Sequence, residues 1–169
     1  MAKFTLTHEI NCDPETFWKI FFDKTFNETL FKEHLGFPKF DVLDYRENDR
    51  EITRKVFGMP KMDVPGPVAK LLGSSFSYNE EGTLDRKSGL WKWKMIPSTM
   101  ADKMRNEGTV RIEAAGPGKC RRIADIVIEA KVFGLGGIIE GAAEKNLRDG
   151  WNASAVFMNQ WIASGKGPK

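Results

Sequence analysis

Residues 131–151 read KVFGLGGIIEGAAEKNLRDGW, and the meaning of their glycines decides the fold. A strand-like run meets Gly134, Gly136 and Gly137, and a helix-like run follows. A dinucleotide-binding turn needs G-x-G-x-x-G after a first parallel strand, opening a crossover helix, with an acid about twenty residues on. Here Ile139 stands where the third glycine belongs, and no strand is expected after the helix. The phosphate-loop signature fails as well, because no Gly-Lys-Ser/Thr comes next. What remains is a strand turning sharply into a helix that lies across its own sheet, where glycines permit positive φ and close backbone approach. From about residue 137 to 162, Ile139, Ala143, Leu147, Trp151, Ser154, Met158 and Ile162 recur at three- to four-residue spacing, which predicts one long amphipathic helix.

Outward from that helix the pattern is strand-like. Phe4, Leu6, His8 and Ile10 alternate with Lys3, Thr5, Thr7 and Glu9, which predicts a half-buried strand over 3–10. Asp13 followed by Pro14 is a helix start, and Phe17, Trp18, Ile20, Phe21 and Phe22 give that helix a dense apolar face. A second short helix is expected over roughly 26–35, stopped by Gly36. From Pro38 to Phe57 two strands turn at Asn48-Asp49. Residues 59–73, MPKMDVPGPVAKLLG, interrupt them with three prolines and two glycines. Four more strands follow between Ser74 and Phe133, one of them alternating Trp91, Trp93 and Met95 against Lys92 and Lys94. Without βαβ crossovers the sheet is expected to be antiparallel and the class α+β: a curved seven-stranded sheet wrapped on the last helix.

Bulk properties narrow the function classes. The chain has 169 residues, 41% of them hydrophobic, which suits one packed domain over 1–163 with a flexible basic tail, 164–169. A net charge of +3 is too small for a dedicated nucleic-acid binder, though it favours brief contact with anionic membranes. Cys12 and Cys120 form no CxxC or Cys/His cluster, so neither a disulfide scaffold nor a metal site is expected, and no cofactor. With no signal-like or membrane-spanning run, the expected location is the cytoplasm.

Several side chains stand out as carriers of chemistry. His8 lies on the apolar face of its strand, where it would hydrogen-bond a ligand or serve as a base, unless it is a satisfied histidine in a seam of the fold. Asp44 and Arg46 share a face with Phe40 and Val42, and Arg54 shares one with Ile52 and Val56; a buried Asp–Arg pair among them would give a polar anchor, and solvent exposure is the competing reading. The Glu80-Glu81 pair before a turn glycine reads as solvated. In the 59–73 insert, Met59, Met62, Val64, Val68, Leu71 and Leu72 put adaptable apolar groups beside Lys61 and Lys70. That suits a lid able to touch a lipid surface, or a loop that merely caps the sheet.

The order β-α-α-β6-α resembles the START-like (SRPBCC) superfamily, the helix-grip fold shared with birch-pollen-allergen-type proteins and polyketide cyclases. The residues that carry the resemblance are FTLTHEINCDPETFWKIFFD (4–23), DVPGPVAKLLG (63–73) and AKVFGLGGIIEGAAEKNL (130–147). The last two together look most like an uncharacterised bacterial branch, of the DUF2505 type. The resemblance implies an apolar cavity between sheet and last helix. Its walls would be His8, Arg54, Val56, Trp91, Trp93, Met95 and Ile128 from the sheet, and Ile139, Ala143, Leu147, Trp151 and Met158 from the helix. The function so implied is binding, and intracellular transfer, of a hydrophobic ligand such as a lipid, sterol or polyketide-like molecule. Two alternatives stay open: a cyclase or dehydratase using His8 with an acid or Tyr78, and an interaction module whose core is filled.

Overall fold

The computed structural model describes residues 1–167; the expected flexible tail, 164–169, falls partly outside them. Seven strands, β1 (Ala2–Ile10), β2 (Lys39–Glu47), β3 (Glu51–Met59), β4 (Tyr78–Asp85), β5 (Leu90–Pro97), β6 (Met104–Ala114) and β7 (Cys120–Ala130), form one sheet ordered β1-β7-β6-β5-β4-β3-β2. Every neighbouring pair is antiparallel. The helices are α1 (Pro14–Phe21), α2 (Lys24–Glu28), α3 (Gly66–Leu72) and α4 (Gly136–Ala163). This is the α+β helix-grip architecture expected from the alternation and the last amphipathic run.

Local chemistry sets the boundaries. Asp13 accepts from the Thr16 amide at 2.7 Å and Pro14 occupies the first helical turn, so α1 begins where its sequence placed it. Asp23 caps α2 in the same way, which starts that helix two residues before the expected position. A wide π-helical turn, Thr29–His34, completes the segment, and Gly36 ends it at φ +71°.

Strand register writes the inner wall of the sheet row by row. One row across it is Arg54, Gly82, Trp93, Gly108, Ile126 and Phe4; the next toward α3 is Val56, Glu80, Met95, Asn106, Ile128 and Ala2. The glycines are there because of the indoles. A Cβ on Gly82 would run into the Trp91 ring, and one on Gly108 into the Asp125 carbonyl and the Trp93 ring. The rings thus lie flat on bare backbone.

Apolar burial falls into three clusters along α4. Where α4 ends, Phe157, Met158 and Trp161 pack with Ile10, Phe17, Ile20, Phe26 and the free, buried Cys12 and Cys120. Where it begins, Ile139 packs with Ala130, Val68 and Leu72. Between these lies a third cluster built on Trp91, Trp93, Val110 and Ile126.

Candidate functional site

The 28-residue α4 is enclosed at both ends and only half-covered in the middle. Ile139 is buried, as are Ala155, Phe157, Met158 and Trp161, but no residue from 140 to 154 is. That middle stretch turns Ala143, Leu147 and Trp151 toward the sheet, and each remains partly accessible. The wall opposite behaves alike: Phe4, Met95 and Asn106 are inward-facing yet half-buried. The helix itself lies along β1 and β7, leaving the inner faces of β3 to β5 farther from it.

The expected wall residues therefore divide. Met95, Ala143, Leu147 and Trp151 face this middle region, joined by Trp93, whose ring lies 6.4 Å from that of Trp151. Val56, Ile128, Ile139 and Met158 are wholly enclosed. Trp91 is too, walled in by Phe21 and Phe22 at ring distances of 5.3 and 5.5 Å.

Two charged side chains share the region. Arg54 is buried and donates to the Phe21 carbonyl at 3.1 Å and to Glu80 at 3.5 Å. The buried acid paired with Arg54 is Glu80, and Asp44 takes the solvent-exposed place. The register shifts between Val42 and Asp44, so Tyr45 rather than Asp44 comes opposite Arg54, and Asp44 pairs with Arg46 in solvent. Glu80 is likewise not solvated. It lies deep enough for burial to raise its carboxyl pKa, against the opposing pull of Arg54. It nevertheless keeps 20% of its side-chain surface accessible. Tyr78, at the α3 end of the same strand, is buried, and burial pushes its phenol up from 10. On the adjoining wall the buried Trp93 Nε1 and Asn106 Oδ1 have no hydrogen-bond partner among the described residues.

His8 belongs to a different place. Its Nδ1 accepts from Arg122 at 3.1 Å, and its Nε2 lies 2.6 Å from Asn152 Oδ1. Arg122 also donates to Ser154 Oγ and the Trp151 carbonyl, clamping β7 to α4. No acid hydrogen-bonds His8 among the described residues, and Tyr78 stands four strands away along β1-β7-β6-β5-β4. The two therefore form no common catalytic site. Arg122 was not singled out in the sequence, although it shares the alternation of Ile126 and Ile128.

The 59–73 insert folds as a strap over the end of the sheet. Val68 and Leu72 point inward onto Ala130 and Ile139, with Val64 and Leu71 packed beside them. Met59 is half-buried and Met62 exposed. Asp63 ties the strap to the middle of α4: its carboxylate meets Lys145 Nζ at 2.8 Å and its carbonyl accepts from Asn146 at 2.8 Å.

On the outer face of the sheet there is an open hollow of about 1000 Å³, floored by Gly82 and Gly108 and edged by Lys3, Lys55, Lys94 and Glu81. Its charges pair with each other, Glu81 with both Lys55 and Lys94, and solvent reaches all of them.

Comparison with known proteins agrees with this geometry. The profile of a family described as "Protein of unknown function (DUF2505)" matches residues 5–162. No curated protein matches the sequence. Among solved structures, a protein from Thermus thermophilus is 15% identical with a TM-score of 0.66, over 97% of this chain and 99% of its own. An aromatase/cyclase from Streptomyces sp. R1128 is 13% identical with a TM-score of 0.64, over 99% of both chains. A START superfamily protein from Mycobacterium smegmatis is 17% identical with a TM-score of 0.59, over 94% of this chain and 97% of its own. These likenesses are of fold alone.

Proposed function

We propose, for a chain that belongs to the DUF2505 family of proteins of unknown function, that it binds a hydrophobic small molecule between the middle of α4 and the inner wall of β3 to β6. One observation carries this reading. Between two buried ends, α4 turns Ala143, Leu147 and Trp151, each only partly covered, toward the sheet cluster of Trp91, Trp93 and Ile126. The accessible surface of the deeply placed Glu80 supports the same reading. Met95, Leu147 and Trp151 supply apolar walls, and Arg54 with Glu80 a polar end. At roughly 25 cal/mol per Å² of apolar surface, hiding ~300 Å² of ligand contributes several kcal/mol before ordering costs. The strap carrying α3 then acts as a door. With Val68 and Leu72 turned inward it is a poor membrane anchor.

Native mass spectrometry of protein purified from cells, with displacement of a fluorescent apolar probe, tests the proposal. Retained ligand or saturable probe binding is expected, and Ala143→Trp should abolish it while the thermal midpoint holds. Unchanged probe binding in that variant rejects the site. Absence of both retained ligand and probe binding favours the filled-core interaction module.

A further inference from the structure

We propose that the end of the molecule where α4 begins docks on an anionic membrane surface, with Phe133 as the inserted wedge. Connections 35–38, 60–77, 98–103 and 131–135 all lie at this end. Phe133 is fully exposed and joins none of the three core clusters. Gly134 follows it at φ +73°, and Ile138, on the first turn of α4, is 47% exposed. The connections at the opposite end, 11–13, 48–50, 86–89 and 115–119, expose no large apolar side chain among the described residues. An aromatic ring displayed this way contributes nothing to the fold and loses free energy to water, so it fits a partner that removes it from water.

The charges around it identify that partner. Lys61, Lys70, Lys103 and Lys131 are exposed on the same connections, against Asp63 and Asp102. Asp63 is already bound to Lys145 and Lys131 lies 3.3 Å from Glu129, so Lys61, Lys70 and Lys103 against Asp102 leave the end net positive. The Lys131 amide donates to the Lys103 carbonyl at 2.8 Å, so the loop bearing Phe133 and the loop bearing Lys103 are tied together. These lysines sit on separate segments at the end that also exposes Phe133, Ile138 and Met62. A stable protein partner covers a contiguous patch of roughly 800 Å² per side. A bilayer needs no such patch: the ring enters the interfacial layer while ammonium groups meet lipid phosphates. Docked in this way, the molecule presents its α3 strap toward the membrane. The surface stands whether or not the chamber beneath α4 holds a ligand.

Co-sedimentation of the full chain with phosphatidylcholine vesicles, with and without phosphatidylserine, tests the proposal. Binding only to the phosphatidylserine vesicles is expected, and it should weaken with added salt. Phe133→Ser should reduce it about tenfold, and Lys103→Gln or Lys131→Gln about fivefold each. Phe133→Leu should retain binding, and all four variants should keep the wild-type thermal midpoint. No sedimentation with either vesicle, equal binding to both, or an unchanged Phe133→Ser variant would each overturn the proposal. So would a dimer without lipid that Phe133→Ser converts to monomer, since the occupant is then a second copy. Ala143→Trp should still bind vesicles, which separates this surface from the chamber.

Discussion

Arg122 donates to His8 Nδ1 across 3.1 Å, so a buried cation rests against a neutral ring with no carboxylate among its hydrogen-bond partners. Burial lowers the guanidinium pKa to about 9. The ring cannot gain a proton without placing two positive charges in contact. Burial is the largest cause that holds its pKa below the ordinary 6.5; the Arg122 charge adds to it and the Asn152 bond opposes it. The unfolded chain therefore takes up a proton at a pH where the fold refuses one. Stability from this site is complete above the ordinary value of 6.5 and is lost as pH falls through the lower folded value. Thermal melts should show wild-type protein losing stability between about pH 7 and 5, with His8→Gln losing less over that interval. Parallel profiles for the two proteins would refute this account.

Arg54 and Glu80 should be unequal in their tolerance of mutation. Removing the cation strands a carboxylate in a low-dielectric interior, so Arg54→Met should cost about 3 kcal/mol in urea unfolding. Glu80→Gln leaves Arg54 a neutral acceptor and should cost less. The double change to methionine should recover much of the Arg54→Met loss; a strictly additive cycle argues against direct coupling.

Gly82→Ala and Gly108→Ala should each destabilise by about 2–3 kcal/mol, because no methyl group fits between strand and indole. The obstacles differ, and that difference is measurable. At Gly82 it is the Trp91 ring, and at Gly108 it includes the Asp125 carbonyl. Trp91→Phe should therefore offset part of the Gly82→Ala loss and leave the Gly108→Ala loss additive. Identical coupling in the two double mutants would contradict the packing described.

Asp63 ties the strap to α4 beside the apolar contacts of Val68 and Leu72. Its ion pair with Lys145 is solvent-exposed on both sides, with side chains 81% and 60% accessible, so Asp63→Ala should change global stability by less than about 1 kcal/mol. Locally the effect should be larger. Hydrogen exchange across 59–73 should accelerate, and bound probe should leave the chamber faster. Unchanged exchange in that segment would mean the strap is held by Val68 and Leu72 alone.

The sequence announced most of these elements through period. Phe4 to Ile10, Trp91 to Met95 and Ile139 to Ile162 each carry one unbroken rhythm, and each is found as read. Departures occur where a rhythm is broken for a structural reason. In β4 the inward positions are Tyr78, Glu80, Gly82 and Leu84. A buried carboxylate and a glycine beneath an indole make that run look like solvent and turn. In β2 the register shift at Leu43 reverses the faces beyond it, which alternation alone does not reveal. Arg122 was readable by parity with Ile126, but its partners come from α4, which the strand pattern does not specify. The chamber's polar end needed Arg54 and Glu80 brought together from separate strands.

Because α4 is buried at its two extremities and half-covered between them, the anchoring contacts and the proposed binding face fall on separate stretches of one element. Lineages can exchange the side chains at 143, 147 and 151, trading bulk for volume, while Ile139 and the Ala155–Trp161 stretch keep the scaffold standing. Diversity of cargo in such a protein would then evolve along the span, and its tolerance of mutation would be lowest at the abutments.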